Sequence, residues 1–267
     1  MVNIFDLAPT SLETITAFDV VTGHYLFTMD ELQNASLAQG EEKIDITGKQ
    51  GRKLTSLKRN KTLTVSGSNG MLSAGMLELQ TGSKFKDAVT EVMWPDYLTV
   101  TGNEATTSFT AVGTAGNEIA EVLVKNSAGS VVKTLTQGAS AKEGVFAYDP
   151  ATKKLTFHAG EVADGTEIVV NYNRKIQAHV LENRSDVYSG KATLYIDLLA
   201  EDKCSNVYRV QIKIFKADFS GEFTLDFGDD QAVHNFEAEA LAGTCGAGGG
   251  ALFSWTVFGA NAEDAAA

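Results

Sequence analysis

Basic side chains are concentrated in one short stretch of this 267-residue chain. Between Thr47 and Thr62 the sequence has six basic residues and no acidic one. They are Lys49, Arg52, Lys53, Lys58, Arg59 and Lys61. Such a cluster attracts phosphate or carboxylate groups, so it suits contact with nucleic acid or with an acidic protein surface.

The rest of the chain favours a protein partner for this basic run. The whole chain carries a net charge of −12, so the sequence outside the run is more acidic still. The run has no aromatic side chain that could stack on a base, which argues against nucleic acid. Two interpretations stay open, a solvated hairpin loop and docking on an acidic surface of another copy of the same chain. We expect the second.

Residues that could carry catalysis or hold a metal are scattered along the chain. They are the histidines His24, His158, His179 and His234 and the cysteines Cys204 and Cys245. None of them falls at metal-ligand spacing, and the sequence has no Gly-x-Ser-x-Gly or Walker motif. Acid pairs such as Asp229-Asp230 lack the spacing of a calcium loop and are expected in solvated turns. We therefore predict no catalytic residues, no metal and no cofactor.

Strand signals dominate the chain. Alternating β-branched and aromatic runs, bounded by Gly, Asn, Asp and Ser, recur from Gly23–Met29 to Leu252–Phe258 and include Ser108–Val112 and Glu121–Lys125. The segment Gly70–Gly82 differs, because its Met and Leu residues recur at helical spacing between flanking glycines. The sequence thus predicts a mainly β fold with one short helix packed on a sheet.

The character of the chain changes at Pro95. Proline cannot donate to a strand ladder, so we expect the preceding strand to end there. The following segment is rich in Thr, Val, Gly and Ala and has turn signals at Asn126–Gly129 and Asp149–Thr152. The second signal separates two short apolar runs, which predicts a hairpin. We predict a discontinuous main β domain, residues 1–95 and 174–267, interrupted by a small inserted β-sandwich domain, residues 96–173.

Two groups of runs carry a resemblance to a known family. The first group is Lys43–Leu54, Lys61–Ser66 and the helical segment Leu72–Leu79, and the second is Val207–Lys216, Gly221–Leu225 and His234–Leu241. In order and spacing they resemble the major tail tube proteins of long-tailed bacteriophages. The inserted segment resembles modules of other phage virion proteins. The resemblance implies a tail-tube-type β-sandwich or barrel with one packed helix.

The same resemblance has implications for assembly. Tail tube proteins form hexameric rings that stack into a hollow tube for DNA ejection, and a long hairpin or loop of one ring docks on the next ring. By its position between two strands, Gly48–Asn60 corresponds to that loop, so the six basic residues become candidate inter-ring contacts. The implied partners are further copies of the chain, tail proteins such as the tape measure and tail terminator proteins, and DNA in transit.

A tube that conducts DNA needs a wall that does not bind it, because fixed Lys and Arg side chains would hold the phosphates. Seven acidic residues late in the chain are candidates for such a wall. They are Asp218, Glu222, Asp226, Asp229, Asp230, Glu237 and Glu239. Strand alternation puts about half of the side chains of any strand on one face, so we expect a subset of these acids to line the lumen.

Two other classes of protein stay open. One is a virion decoration or surface adhesin module with an immunoglobulin-like domain, although an adhesin normally has an export signal and the first residues here carry no basic leader. The other is a carbohydrate-active β-sandwich enzyme, which needs two carboxylates about 5–10 Å apart in a cleft. No apolar run approaches the ~18 residues of a membrane span. We expect a virion tail component that is assembled in the host cytoplasm, without membrane contact.

Overall fold

The computed structural model describes residues 6–227, 232–242 and 250–259. Within these ranges the chain forms sixteen β-strands, one α-helix and a 3-10 turn at Lys49–Gly51, which confirms the predicted mainly β fold. The strands are β1 Leu7–Asp19, β2 Tyr25–Met29, β3 Leu32–Thr47, β4 Lys53–Asn69, β5 Lys86–Thr99, β6 Glu104–Thr106, β7 Glu121–Lys125, β8 Val131–Gln137, β9 Val145–Asp149, β10 Lys154–Thr156, β11 Glu167–Val180, β12 Lys191–Asp202, β13 Val207–Phe219, β14 Leu225–Phe227, β15 Ala232–Ala240 and β16 Phe253–Gly259. The helix, α1, is Ala74–Thr81.

The chain divides into two compact units. One, which we call the body, combines Met1–Phe85 with Leu181–Ala267, and the other, the insert, is Lys86–Val180. The insert begins before Asp96 and ends after Asn173, the bounds expected from the sequence, because β5 and β11 pair continuously from Lys86↔Val180 to Thr99↔Glu167. A boundary at Asp96 or Asn173 would cut that ladder.

The body is a nine-stranded antiparallel sheet. Its strands follow the order β2-β1-β12-β13-β15-β4-β3, with β14 beside β15 and β16 beside β13. Strand alternation places apolar side chains such as Ile15 and Leu194 on one face, where they are buried in the core. The opposite face carries side chains such as Tyr195, Lys213 and Glu239, and we call it the polar face.

Helix α1 packs against the core of the body and confirms the helix predicted within Gly70–Gly82. The Ser73 hydroxyl begins it by accepting a hydrogen bond from the Met76 amide at 3.3 Å, and Met76 itself is fully buried. The helix ends at Gly82, where φ is +70° and an added Cβ would lie 2.0 Å from the Tyr188 carbonyl oxygen. Glycine satisfies both constraints. No helix in the described ranges is long and apolar enough to cross a membrane.

The insert has a sheet and an apolar core of its own. Seven strands follow the order β5-β11-β7-β8-β9-β10-β6, and side chains such as Leu135, Phe146 and Ile168 are fully buried between them. The turn predicted at Asp149–Thr152 joins β9 to β10 as an antiparallel hairpin. The Asp149 carboxylate accepts hydrogen bonds from the Ala151 amide and the Thr152 hydroxyl, which fixes this turn.

Pro95 does not end its strand, and the expectation from the sequence was wrong at this point. Pro95 lies inside β5, opposite Asn171 of β11. In the sheet of the insert β5 is an outer strand and has β11 as its neighbour. A proline is tolerated in an outer strand because its nitrogen can face the open edge, where no ladder hydrogen bond is needed.

The predicted strand Ser108–Val112 is also wrong. Three backbone amides of this segment donate to side chains and not to a neighbouring strand. The contacts are Ser108 N to the Asp96 carboxylate at 2.7 Å, Phe109 N to the Tyr172 hydroxyl at 3.0 Å and Ala111 N to the Tyr148 hydroxyl at 2.8 Å. The segment therefore winds around buried polar groups, a tertiary arrangement that overrides its β propensity.

We expect the body to fold without the insert. Lys86 and Val180 are directly opposed in the ladder, so Phe85 and Leu181 lie close together and a short Gly/Ser linker can join them. Deletion of Lys86–Val180 should leave a soluble body with a cooperative thermal transition, measured by circular dichroism. A deletion of Asp96–Asn173 serves as the comparison, because it leaves the remaining halves of β5 and β11 paired with each other but without the core of the insert. Loss of cooperative unfolding in the first variant would show that the body needs the insert.

Candidate functional site

The basic run lies on a long two-stranded hairpin, which we call the arm (residues 41–61). Strands β3 and β4 pair from Leu32↔Asn69 to Thr47↔Lys53, whereas the pairing of β4 with β15 ends at Thr64↔Glu239. The expected loop Gly48–Asn60 is therefore strand from Lys53 onward, and Gly48–Arg52 alone forms the turn. The physical reason is that β4 is exposed on both faces from Lys53 to Asn60, so its apolar residues Leu54 and Leu57 need not alternate as they would in a strand with one buried face.

Half of the six cations are paired within the arm by acids of β3. Lys53 Nζ lies 2.6 Å from Asp45, and Lys58 Nζ lies 2.6 Å from Glu41. Arg59 donates twice to the Glu42 carboxylate, at 2.9 and 3.1 Å. The hydrogen bonds from Lys58 and Arg59 lower the pKa of Glu41 and Glu42, respectively. These pairs hold the two strands together and neutralise much of the charge that the sequence places in the run.

The other three cations, Lys49, Arg52 and Lys61, form no ion pair with the described part of the chain. Lys49 begins the 3-10 turn at the tip, and Arg52 follows that turn. Both side chains are exposed. The charge that is available to a partner therefore lies mainly at the tip of the arm.

Apolar side chains on the arm were missed by the sequence reasoning. Leu54 is 61% exposed and Leu57 is 55% exposed, and Ile46 is exposed as well. Ile44 and Leu57 are cross-strand partners, so alternation places Ile44, Ile46 and Leu57 on one face of the ribbon. A two-stranded ribbon with exposed apolar side chains is only marginally stable in water by itself.

The structure brings three of the seven candidate lumen acids together on the polar face. Asp218 and Glu239 are cross-strand partners, and Glu237 lies two residues before Glu239 on the same side of β15. Glu222 lies in the exposed loop before β14, and Asp226 lies in β14. Asp229 and Asp230 lie outside the described residues.

The polar face also carries cations, which the sequence reasoning did not place there. Lys191 Nζ lies 3.5 Å from the Asp218 carboxylate. Lys213 Nζ lies 5.0 Å from the centre of the Tyr195 ring and 5.4 Å from that of Phe215, within the range of cation–π attraction. The face is therefore mixed in charge, and these two cations are engaged by neighbouring groups.

A family model matches residues 10–254 of the chain, under the description YomU/Tube protein family. The chain belongs to the YomU/Tube protein family. The matched range begins in β1 and ends in β16, so it takes in the arm, the helix and the polar face. No curated protein matches the sequence. Membership makes the chain a tube-related structural protein of a phage.

This YomU/Tube protein has a cleft of about 550 Å³ on the polar face, and Asp19 and Asp197 both line it. A glycosidase would need one such carboxyl with a raised pKa as its general acid. The pKa of Asp19 is instead lowered, because the Thr22 amide and hydroxyl donate hydrogen bonds to it. Asp197 accepts a hydrogen bond from Gln211 at 3.0 Å. Asp19 is thus held as a carboxylate that shapes the β1–β2 turn.

The histidines of this YomU/Tube protein lie apart from one another. His234 is fully buried, its Nε2 lies 2.7 Å from Gln80 Oε1, and burial lowers its pKa. His179 pairs with Asp87 on the surface of the insert. Cys204 is exposed, and Cys245 lies outside the described residues. Within the described ranges no group of three or more His, Cys, Asp or Glu side chains is placed to hold a metal ion.

Proposed function

We propose that the protein is the major tail tube protein of a long-tailed phage. In this proposal six copies form a ring, and stacked rings form the hollow tube through which DNA is ejected into the host. The observation that carries the proposal is the family match over residues 10–254. The order of strands and helix that resembles tail tube proteins supports it.

The arm supports stacking between rings. It extends beyond the region in which β4 is paired on both sides, so it leaves the body as a free ribbon. Its tip carries Lys49 and Arg52, which have no ion-pair partner among the described residues, next to the exposed Leu54. A ribbon with exposed charged and apolar groups suits a contact with the neighbouring ring. We propose that all six basic residues of the run contribute to this contact.

Negative-stain electron microscopy of the purified protein tests the proposal directly. We expect long tubes of stacked rings with a central channel. The matched variant replaces residues 41–61 with an Asn-Gly turn between Gly40 and Thr62, which are cross-strand partners, so the body sheet stays intact. This variant should give single rings or monomers. Monomers from the intact chain under all assembly conditions would contradict the tube proposal.

Reversing four charges of the arm, Lys49, Arg52, Lys53 and Lys58 to Glu, is expected to abolish tubes. The change removes the cations at the tip and also places Glu opposite Asp45 and Glu41 within the arm. Each exposed pair contributes ~0–1 kcal/mol, but the contact is repeated around every ring. Tube length in micrographs and sedimentation at low and high salt provide the measurement.

A double variant, Lys49→Glu with Arg52→Glu, is the control for this prediction, because neither cation has an ion-pair partner in the described part of the chain. Tubes from the double variant but not from the quadruple variant would assign the cations to stabilising the arm. Unchanged tubes from the quadruple variant would show that apolar contacts carry the stacking.

We also propose that the polar face lines the channel, with Asp218, Glu237 and Glu239 among its acids. Acidic groups repel phosphate, and Lys191 and Lys213 are engaged by Asp218 and by aromatic rings. Assembled tubes should therefore retain no DNA at low salt, whereas a Glu237→Lys, Glu239→Lys variant should retain it in a salt-dependent way. A tube structure whose channel is lined chiefly by Lys and Arg would refute the proposal that the polar face lines the channel.

At its two ends the proposed tube would meet proteins such as the tape measure and the tail terminator.

A further inference from the structure

His234 lies in the core of the body, where it connects helix α1 to the sheet. It belongs to β15 and is 1% exposed, and alternation places it on the side of β15 that also buries Phe236. Its Nε2 lies 2.7 Å from Oε1 of Gln80, a buried residue in the last turn of α1. The ring of Phe223 packs against the imidazole, with 5.9 Å between the ring centres. The contact between helix and sheet at this point is therefore a titratable one.

The hydrogen bonds of Gln80 determine where neutral His234 carries its hydrogen. Gln80 Nε2 donates to the Asn235 carbonyl at 3.1 Å, so Gln80 Oε1 is the atom that faces the imidazole. A carbonyl oxygen only accepts, so the neutral ring carries its hydrogen on Nε2 and donates it to Gln80. His234 Nδ1 is buried and has no hydrogen-bond partner among the described residues.

A second hydrogen on His234 would lack an acceptor. An imidazolium ion donates from both ring nitrogens, and Nδ1 makes no hydrogen bond within the described part of the chain. Asn69 of β4 is directly opposite His234, but its Oδ1 is also buried without a hydrogen bond there, so the two groups do not bond to each other. Burial of a charge without a hydrogen bond is unfavourable, and burial accordingly lowers the pKa of His234 from its ordinary value of 6.5.

The charged residues of the surrounding elements do not compensate such a charge. They are Glu78 on α1, Glu222 before β14, Asp226 in β14, and Glu237 and Glu239 on β15. The Glu78 carboxylate binds Lys84 Nζ at 2.9 Å, the Glu222 side chain is exposed, and the two glutamates of β15 lie on its opposite side. In the ladder Asp226 is paired with Val233 and not with His234. β4 has no charged residue from Thr62 to Asn69.

Helix α1 also holds both connections of the chain to the insert. Ser83–Phe85 follow the helix directly and lead into β5. On the return path from β11 to β12, the Gly190 amide donates to the Leu79 carbonyl of α1 at 2.7 Å. Gly82 at the helix end lies against Tyr188 of the same path. Release of α1 from the sheet would therefore loosen both connections.

We infer that His234 is an acid-sensitive switch: its neutral form holds α1 on the body sheet, and its protonation releases α1 together with the two connections to the insert. This switch does not depend on the proposed tube function. In the released state the imidazole reaches water and has its ordinary pKa of 6.5. Because the pKa is lower in the held state, holding is most favourable above pH 6.5 and weakens as the pH falls below that value. The opening is local, and the rest of the body stays folded.

Hydrogen–deuterium exchange of the intact chain, measured by mass spectrometry, tests the switch. The peptides to follow cover α1 with residues 82–85, and residues 181–190. After correction for the intrinsic pH dependence of exchange, their protection should fall when the pH is lowered from about 7.5 to about 5. The fall is at most about 30-fold, the ratio of protonated to neutral imidazole at the lower pH for an ordinary histidine. Protection of β7, in the core of the insert, should change little.

His234→Gln removes the titration and keeps a side chain that can donate to Gln80. Protection of α1 in this variant should not change with pH after the same correction. The matched control is His24→Gln, which changes an exposed histidine of the same unit and should leave the response of the native chain intact. An equal fall in His234→Gln would overturn the switch. Constant protection in the native chain would also overturn it, and would show that the imidazolium finds an acceptor such as Asn69 Oδ1.

The titration of His234 in the native chain is a second measurement, which does not require a variant to fold. Exchange of the imidazole C2 hydrogen, followed by mass spectrometry over a range of pH, reports the titration midpoint of each histidine. We expect the midpoint of His234 to be lower in the folded chain than in the chain unfolded by urea. An equal or higher midpoint would overturn the switch and leave the tube proposal standing.

Discussion

Replacing Gly82 with Ala is expected to lower the free energy of unfolding of the body by about 2–4 kcal/mol. Two effects combine at this position. The backbone at Gly82 is left-handed, with φ of +70°, and a Cβ there would lie 2.0 Å from the Tyr188 carbonyl oxygen. The helix end and the segment that carries Tyr188 would have to move apart. Chemical denaturation, followed by circular dichroism, measures the change.

Gly23→Ala is a matched control for the Gly82 substitution. Gly23 has almost the same φ, +69°, in the same unit, but an added Cβ would meet nothing within 4 Å. Its substitution should cost only the left-handed backbone, about 1–2 kcal/mol. Equal losses from the two variants would show that the contact with Tyr188 relaxes without cost.

The second large effect is expected at Asp96, whose substitution by Asn should destabilise the insert by about 2–4 kcal/mol. The Asp96 carboxylate is buried and accepts four hydrogen bonds. The donors are the Trp94 indole at 3.1 Å, the Ser108 amide at 2.7 Å, the Ser108 hydroxyl at 2.8 Å and the Tyr172 hydroxyl at 2.7 Å. Burial by itself would raise the pKa of Asp96, but these hydrogen bonds outweigh it and lower the pKa. In an Asn side chain the NH2 group would replace one carboxylate oxygen. It would then face a hydrogen-bond donor and could not accept that donor's hydrogen.

Asp149→Asn is the control for Asp96. Asp149 also accepts hydrogen bonds from a backbone amide and a hydroxyl, but it lies exposed in the turn between β9 and β10, so its substitution should cost less than about 1 kcal/mol. Thermal unfolding of the two variants, analysed for the transition of the insert, provides the comparison. A loss for Asp96→Asn no larger than that for Asp149→Asn would refute the role of the buried network.

The same network predicts that the stability of the insert decreases at alkaline pH. Burial, followed by the hydrogen bond to Asp96, raises the pKa of Tyr172 from 10.0 to about 12. The raised pKa means that the folded insert holds this proton more tightly than the unfolded chain does. The resulting stability is fully present below pH 10.0 and is lost as the pH rises toward about 12. The difference in melting temperature between the native chain and Tyr172→Phe should therefore shrink across that interval, and a constant difference would contradict it.

Sequence reasoning was most successful where one side of a strand is buried and turn signals flank it. β7 is an example: its alternating Val122 and Val124 face the core of the insert, and the prediction Glu121–Lys125 was confirmed residue for residue. Sequence reasoning did not predict β1, in which Pro9 and two bulges interrupt the ladder with β12. It also missed the first half of β3, an outer strand that is mostly exposed and therefore needs no apolar alternation.

The arm shows why a candidate site is harder to predict than a strand. Its six cations lie within 13 residues of one another, so the sequence alone identifies them as a cluster. The acids that pair with them, Glu41, Glu42 and Asp45, lie on the opposite strand, and their partnership depends on register. Turn signals do not fix the register of a long ribbon that is exposed on both faces. A slip by one residue would not exchange a buried face for an exposed one, so the sequence does not select one register. The distinction between paired and available cations therefore emerged only from the structure.

The open edge of the insert affects how copies behave when they are crowded. A repeating assembly brings identical inserts to high local concentration, and an unpaired edge of 14 residues such as β5 is a template for strand addition and aggregation. Pro95 lies within that edge and has no amide hydrogen, so an incoming strand cannot form a continuous ladder along it. In the tube that we propose, the residue that interrupts the sequence pattern would thereby keep neighbouring copies from joining edge to edge.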